Sequence, residues 1–139
     1  YEVLQPDYNL VDRGRYEADL EPLCAREGLG VIPYYSLAAG FLTGKYRTAA
    51  DLGKSARGAK VGKSYLNDRG LRVLAAVDAV AAEVGAGPAQ VALAWLMARP
   101  SVTAPIASAT TPDQLAELVA ATRLTLAPEM VARLDAAGA

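Results

Sequence analysis

The stretch Gly30–Tyr35, reading GVIPYY, is apolar or aromatic at nearly every position rather than at every second one. A strand with one wet face alternates, so a strand without alternation is predicted to be covered on both faces, as the strands of a parallel sheet are. Parallel neighbours need long crossovers, and the flanking sequence supplies them. Glu2–Tyr8 reads as an earlier short strand; Tyr16–Glu27 has helical spacing with Leu20, Leu23 and Cys24 on one face, and Gly28 stops it. A helix from Asn67 to Val84 carries Leu71, Leu74, Val77 and Val80, and the GAGP at Gly85–Pro88 breaks it. Another helix runs from Pro88 to Ala98, Val102–Ala107 reads as a third strand, and two more helices open at Thr111-Pro112 and at Pro128. The order β-α-β-loop-α-α-β-α-α places the chain in the α/β class, with parallel strands and right-handed helical crossovers.

The segment 37–64 carries no sustained period and holds Gly40, Gly44, Gly53, Gly58 and Gly62, so it is predicted as a long loop. Loops of that length inside compact domains are mostly functional or disordered. This one is also basic: Lys45, Arg47, Lys54, Arg57, Lys60 and Lys63 face one acid, Asp51, although the whole chain has a net charge of −1. Such a balance excludes the broad basic face of a nucleic-acid binder, and the single cysteine, Cys24, excludes an internal disulfide and fits a reducing, cytoplasmic setting. With no histidine, metal sites and histidine-based triads are not expected, and no apolar run is long enough for a membrane span. At 139 residues the chain has the size of one domain, and because it starts at Tyr1 with no signal-like segment, we read it as processed or partial.

Three blocks, LQPDYNLVDR (Leu4–Arg13), GVIPYYSLAAGFLTGKYR (Gly30–Arg47) and AQVALAWLMARPSVTAPIASATTPDQLAEL (Ala89–Leu118), resemble in order the C-terminal half of the aldo-keto reductases. The resemblance implies that residues 1–139 supply strands six to eight, with their helices, of a (β/α)8 TIM barrel, a fold that needs roughly 250 residues when complete. It implies hydride transfer between NADPH and a carbonyl in the parent protein. The family's catalytic Asp, Tyr, Lys and His lie on earlier strands, so no catalytic residue is assigned here. Tyr8, Tyr34 and Lys45 fall in blocks that match non-catalytic parts of the pattern.

What the resemblance implies for this half is cofactor binding. Gln5 matches the position whose amide holds the nicotinamide carboxamide, its alternative being a barrel-interior glutamine. Tyr34 matches the ring that stacks on the nicotinamide. Tyr35, Leu37, Ala39 and Gly40 match the loop whose backbone approaches the pyrophosphate, where small side chains permit close approach. Lys54, Arg57, Lys60 and Lys63 either close over the phosphates or form a solvated loop. Ser108, Thr110 and Thr111 match contacts to a 2′-phosphate at a helix start, with Gln114 and Glu117 toward the adenine; Thr111 also reads as the helix N-cap. Family members often carry a basic residue at the positions of Ser108 or Gln114 and an asparagine at that of Leu118, so NAD stands beside NADP as the expected cofactor.

The stripe Val91–Met97, with Trp95, reads as helix-to-barrel packing, and Asp12-Arg13 as a structural ion pair or turn anchor. Two readings of function result. In the first, the chain is the cofactor-binding part of an NAD(P)H-dependent reductase of aldehydes or ketones, inactive alone. In the second it is a non-enzymatic half-barrel that binds nucleotide or assembles with a subunit. Either way, three strands of an open barrel expose an interior face, and self-association is expected.

Overall fold

The computed structural model describes residues 1–139. Strand β1 (Val3–Leu4) pairs in parallel with β2 (Gly30–Val31), Val3 opposite Gly30 and Leu4 opposite Val31. The ladder continues past both short strands: the N–H of Ile32 donates to the Leu4 carbonyl at 3.0 Å, and that of Tyr34 to Pro6 at 2.9 Å. Between the strands, a π-helical turn (Tyr16–Leu20) leads into α1 (Glu21–Glu27), which ends on Gly28 at φ 66°. That left-handed stop is the one the sequence indicates. Cys24 is buried on this helix, but Leu23 is exposed, because the π-helical turn shifts the register of the apolar stripe.

The predicted third strand, 102–107, runs along β2 without becoming a regular strand. Thr103 donates its N–H to the Val31 carbonyl at 2.8 Å and Ile106 to Pro33 at 2.9 Å. The return bonds fail for a chemical reason: Pro33 and Pro105 have no N–H, and the N–H of Val31 goes to the Thr103 hydroxyl at 3.1 Å instead. A second expectation is corrected on the same sheet. Val31 and Pro33 are buried, yet Tyr34 and Tyr35 are 40% and 38% exposed, so the strand is covered only on its helix side. Its other face, with Val3, Gln5, Asp7 and Tyr34, is open.

The segment 37–64 is not a structureless loop. It folds into 3-10 turns at Ala38–Thr43 and Ala49–Lys54 and then α2 (Gly58–Ser64). Two short-range devices account for this. Thr48 and Asp51 form a reciprocal capping box, and the Arg47 guanidinium pairs with Asp78 in the helix that follows α2. Gly58 lets α2 lie directly on the preceding turn, since a Cβ there would overlap the carbonyl oxygen of Leu52.

Helices α3 (Asp68–Val84), α4 (Pro88–Met97), α5 (Pro112–Ala121) and α6 (Pro128–Gly138) form the outer layer. Asn67 caps α3, accepting from the N–H of Gly70 at 2.9 Å, and Thr111 caps α5, accepting from that of Gln114 at 3.2 Å. The core side of α3 is Val73, Leu74, Val77, Val80 and Ala81, while Leu71 is exposed. Helix α4 is apolar all round and buried from Val91 to Leu96 because α3 and α5 flank it.

At its centre, the Trp95 ring meets the guanidinium groups of Arg99 and Arg13 at 4.8 and 5.5 Å, and its indole N–H donates to Asp135 at 2.9 Å. Arg13 therefore pairs with Glu17 and Asp135 rather than with Asp12, which accepts from the Tyr65 hydroxyl at 2.7 Å. Glu17 closes the network, accepting from Tyr8 and Arg13 at 2.8 Å. Burial pushes the Glu17 carboxyl up, but the hydrogen bonds from Arg13 and Tyr8 and the charges of Arg13 and Arg99 reverse this and hold it below the ordinary glutamate value. A carboxylate with a lowered folded-state pKa contributes stability above its unfolded value and loses it as pH falls through the folded one. Denaturant midpoints are therefore expected to hold steady above pH 4.5 and decline below it, with a shallower decline in Glu17→Gln.

Candidate functional site

The ends of β2 and of the third segment, the turn after β2 and the start of α5 enclose an open groove of about 670 Å³. Tyr34, Tyr35, Leu37, Ala39 and Gly40 form one wall; Ser108, Thr110, Gln114 and Glu117 form the other. Of the residues matched to the family's nicotinamide, pyrophosphate and adenosine contacts, only Gln5 and Thr111 lie outside this lining, and of the four basic residues set beside them only Arg57 lines it, Lys54, Lys60 and Lys63 lying outside. Gln5 is exposed on the open sheet face, and Thr111 is occupied as the cap of α5.

The backbone of the first wall is unusual. Tyr35, Ala38 and Ala39 have φ of 53°, 49° and 56°, followed by Gly40 at 93°. Left-handed backbone at three non-glycine residues is costly, and such conformations cluster where a chain must present its main chain to a ligand. Around the same turn, the N–H groups of Ser36 and Leu37 donate to nothing within the chain. The turn is held from below by Asn9, fully buried, whose side chain donates to the Tyr35 carbonyl at 3.1 Å and accepts from the N–H groups of Val11 and Asp12.

Lys45 and Arg57 also line the groove, and neither forms an ion pair. The first is not among the residues picked out individually for binding in the sequence, and the second is read there as loop or ligand alike; the signal that identifies both is the cluster of basic residues. Lys60 lies beside them, its ammonium 3.7 Å from the centroid of the Tyr35 ring, which in turn packs on Tyr34 at 5.1 Å. Lys54 is instead tied to Asp51 at 2.6 Å. On the second wall, Gln114 accepts from the N–H and hydroxyl of Thr110 at 2.9 and 3.0 Å, and its amide N–H₂ donates to nothing within the chain.

The arrangement suits an extended anion with flat ends: an aromatic platform at one end, unpaired cations and free backbone N–H groups in the middle, and hydroxyls, an amide and a carboxylate at the other. Tyr8 is buried in the core, its hydroxyl donating to Glu17, and burial with that bond raises its pKa far above the ordinary tyrosine value.

Comparison with known proteins gives a consistent picture. The model of the Aldo/keto reductase family matches residues 2–139. The chain is 34% identical to a protein named "Probable voltage-gated potassium channel subunit beta" from Oryza sativa subsp. japonica, over 96% of this chain and 43% of that protein. It is 34% identical to an L-glyceraldehyde 3-phosphate reductase from Escherichia coli O157:H7, over 96% of this chain and 40% of that one. With "Protein tas" of Escherichia coli K12 the identity is 31%, over 96% and 39%. The chain thus spans about two-fifths of the length of these relatives.

Proposed function

The chain belongs to the aldo/keto reductase family, and from that premise we propose that it is the dinucleotide-binding part, the C-terminal half with strands six to eight, of an NAD(P)H-dependent reductase of aldehydes or ketones. The observation that carries this reading is the groove: residues matched to the family from separate blocks of sequence line one cleft whose chemistry suits a dinucleotide. In this reading Tyr34 stacks on the nicotinamide and Gln5, on the same open face, holds its carboxamide. Ser36, Leu37, Ala39 and Gly40 offer backbone to the pyrophosphate, with Lys45 and Arg57 as its cations. Ser108 and Thr110 face a 2′-phosphate, and Gln114 and Glu117 the adenine, while Thr111 serves through the helix it caps. The cofactor, when bound, supplies the hydride that reduces a carbonyl carbon.

NADP is the proposed cofactor, with NAD also accepted, because no basic residue stands at Ser108 or Gln114. The family's catalytic Asp, Tyr, Lys and His have no counterparts in the matched blocks, so the chain alone binds without turning over. We place it in the cytoplasm, with no nucleic-acid or membrane partner; no single helix is long and apolar enough to cross a membrane. A second reading, a nucleotide-binding or assembly module without turnover, draws on the relatives named as channel beta subunits.

Calorimetric titration with NADPH and NADH, beside an assay of NADPH oxidation with an aromatic aldehyde, tests the proposal. Saturable binding without oxidation supports it; absence of binding by both nucleotides, or turnover by this chain, contradicts it. The open sheet face, with Val3 51% and Tyr34 40% exposed, gives a further expectation. Sedimentation of the chain will show self-association that grows with concentration, and a compact monomer at all concentrations would count against it.

A further inference from the structure

Asp7 stands directly opposite Tyr34 across the parallel ladder. The Tyr34 N–H donates to the Pro6 carbonyl at 2.9 Å and the Tyr8 N–H to the Tyr34 carbonyl at 3.4 Å, which makes Asp7 and Tyr34 partners. Partnered residues on neighbouring strands project from the same face of a sheet. Here it is the open face, since Pro6, Tyr8 and Pro33 alongside are buried and Asp7 and Tyr34 are exposed.

The Asp7 carboxylate enters none of the chain's ion pairs and accepts no hydrogen bond. The one cation that acts on it is Lys60, which is engaged over the Tyr35 ring, and the nearby Asp12 repels it. Partial burial and Asp12 accordingly raise its pKa, against the pull of Lys60. A carboxylate without an ion-pair partner, projecting from the same open face as an aromatic ring on the paired strand, is a site for a flat cation: the ring's electron-rich face and the carboxylate both attract positive charge.

We propose that Asp7 sets which oxidation state of the nicotinamide dinucleotide this site prefers, favouring the oxidised form, whose pyridinium ring is cationic, over the reduced form, whose dihydropyridine ring is neutral. The inference rests on the reading that Tyr34 receives the nicotinamide. Phosphates, riboses and adenine are the same in both forms, so Lys45, Arg57, Ser108 and Thr110 contribute alike to both. Only a group beside the ring can discriminate, and Asp7 is the unpaired charge that the ladder places there. The discrimination expected is about three- to tenfold, the scale of a charge pair partly screened by solvent.

Calorimetric titration of the wild-type chain, Asp7→Asn and Asp7→Glu with NADP⁺ and with NADPH, at neutral pH and low salt, tests this. The ratio of the NADPH to the NADP⁺ dissociation constant is expected to fall about three- to tenfold in Asp7→Asn, mostly through weaker NADP⁺ binding. Asp7→Glu, which keeps the charge, is expected to retain most of the wild-type ratio. An unchanged ratio in Asp7→Asn, or equal weakening of both forms, overturns the inference and leaves the dinucleotide reading standing. A wild-type chain that binds neither form overturns both.

Discussion

Trp95→Ala will cost about 3–5 kcal/mol of folding free energy, the range for deleting a buried aromatic side chain. Trp95 is fully buried and is the largest side chain in the core, so its removal leaves a cavity that α3, α4 and α6 cannot close without moving. The loss is larger than the cavity alone, because Asp135 loses the indole N–H and Arg13 and Arg99 lose the ring beside them. Since small domains have about 5–15 kcal/mol to lose, urea denaturation should show a strongly lowered midpoint or a chain already unfolded. Trp95→Phe keeps most of the volume and is expected to recover more than half of the loss; a midpoint within error of wild type for the alanine variant would show that this core is not where the stability resides.

The second large effect concerns binding. Lys45 and Arg57 line the groove without ion-pair partners, so removing them leaves no charge buried or orphaned. Each is expected to contribute a charge-assisted hydrogen bond or its equivalent to a bound pyrophosphate, about 1.5 kcal/mol or more apiece. The double variant Lys45→Ala/Arg57→Ala should therefore bind NADPH about a hundredfold more weakly, with its denaturation midpoint unchanged. Wild-type affinity should fall with added salt, and the variant's should fall less. Equal affinity of wild type and double variant would remove the phosphates from this part of the groove.

Most of the helices were legible because each carries its own punctuation. Gly28 and Gly85 end helices in left-handed conformation, and Asn67 and Thr111 cap α3 and α5 through side-chain oxygens. The strand at 102–107 was not, because its apolar pattern is right but two prolines remove the N–H groups that regular pairing needs. Residues 37–64 read as loop because five glycines mask short turns whose order comes from Thr48–Asp51, Arg47–Asp78 and the contact that Gly58 permits. Burial of Tyr34 and Tyr35 was over-read, since an unbroken apolar run does not say what covers a strand, and here one face stays open.

The site was legible at the level of residue type more than of geometry. The small-residue turn after β2 announced itself as Leu37–Gly40, yet no pattern foretold left-handed backbone at Tyr35, Ala38 and Ala39, which is imposed by packing over Asn9 and Ser36. The basic run marked a region, and the fold then separated its members: Arg57 to the groove, Lys60 to the Tyr35 ring and Lys54 to Asp51. Asp7 carried no signal in the sequence, because its significance lies in being paired with Tyr34 across the sheet.

The most direct test is a crystal structure of this chain grown with NADP⁺. The account predicts one dinucleotide along the groove, its nicotinamide on Tyr34, its pyrophosphate at the Ser36–Gly40 turn between Lys45 and Arg57, and its adenosine at Ser108–Glu117. A dinucleotide bound elsewhere, or the reverse orientation with adenine on Tyr34, would contradict it.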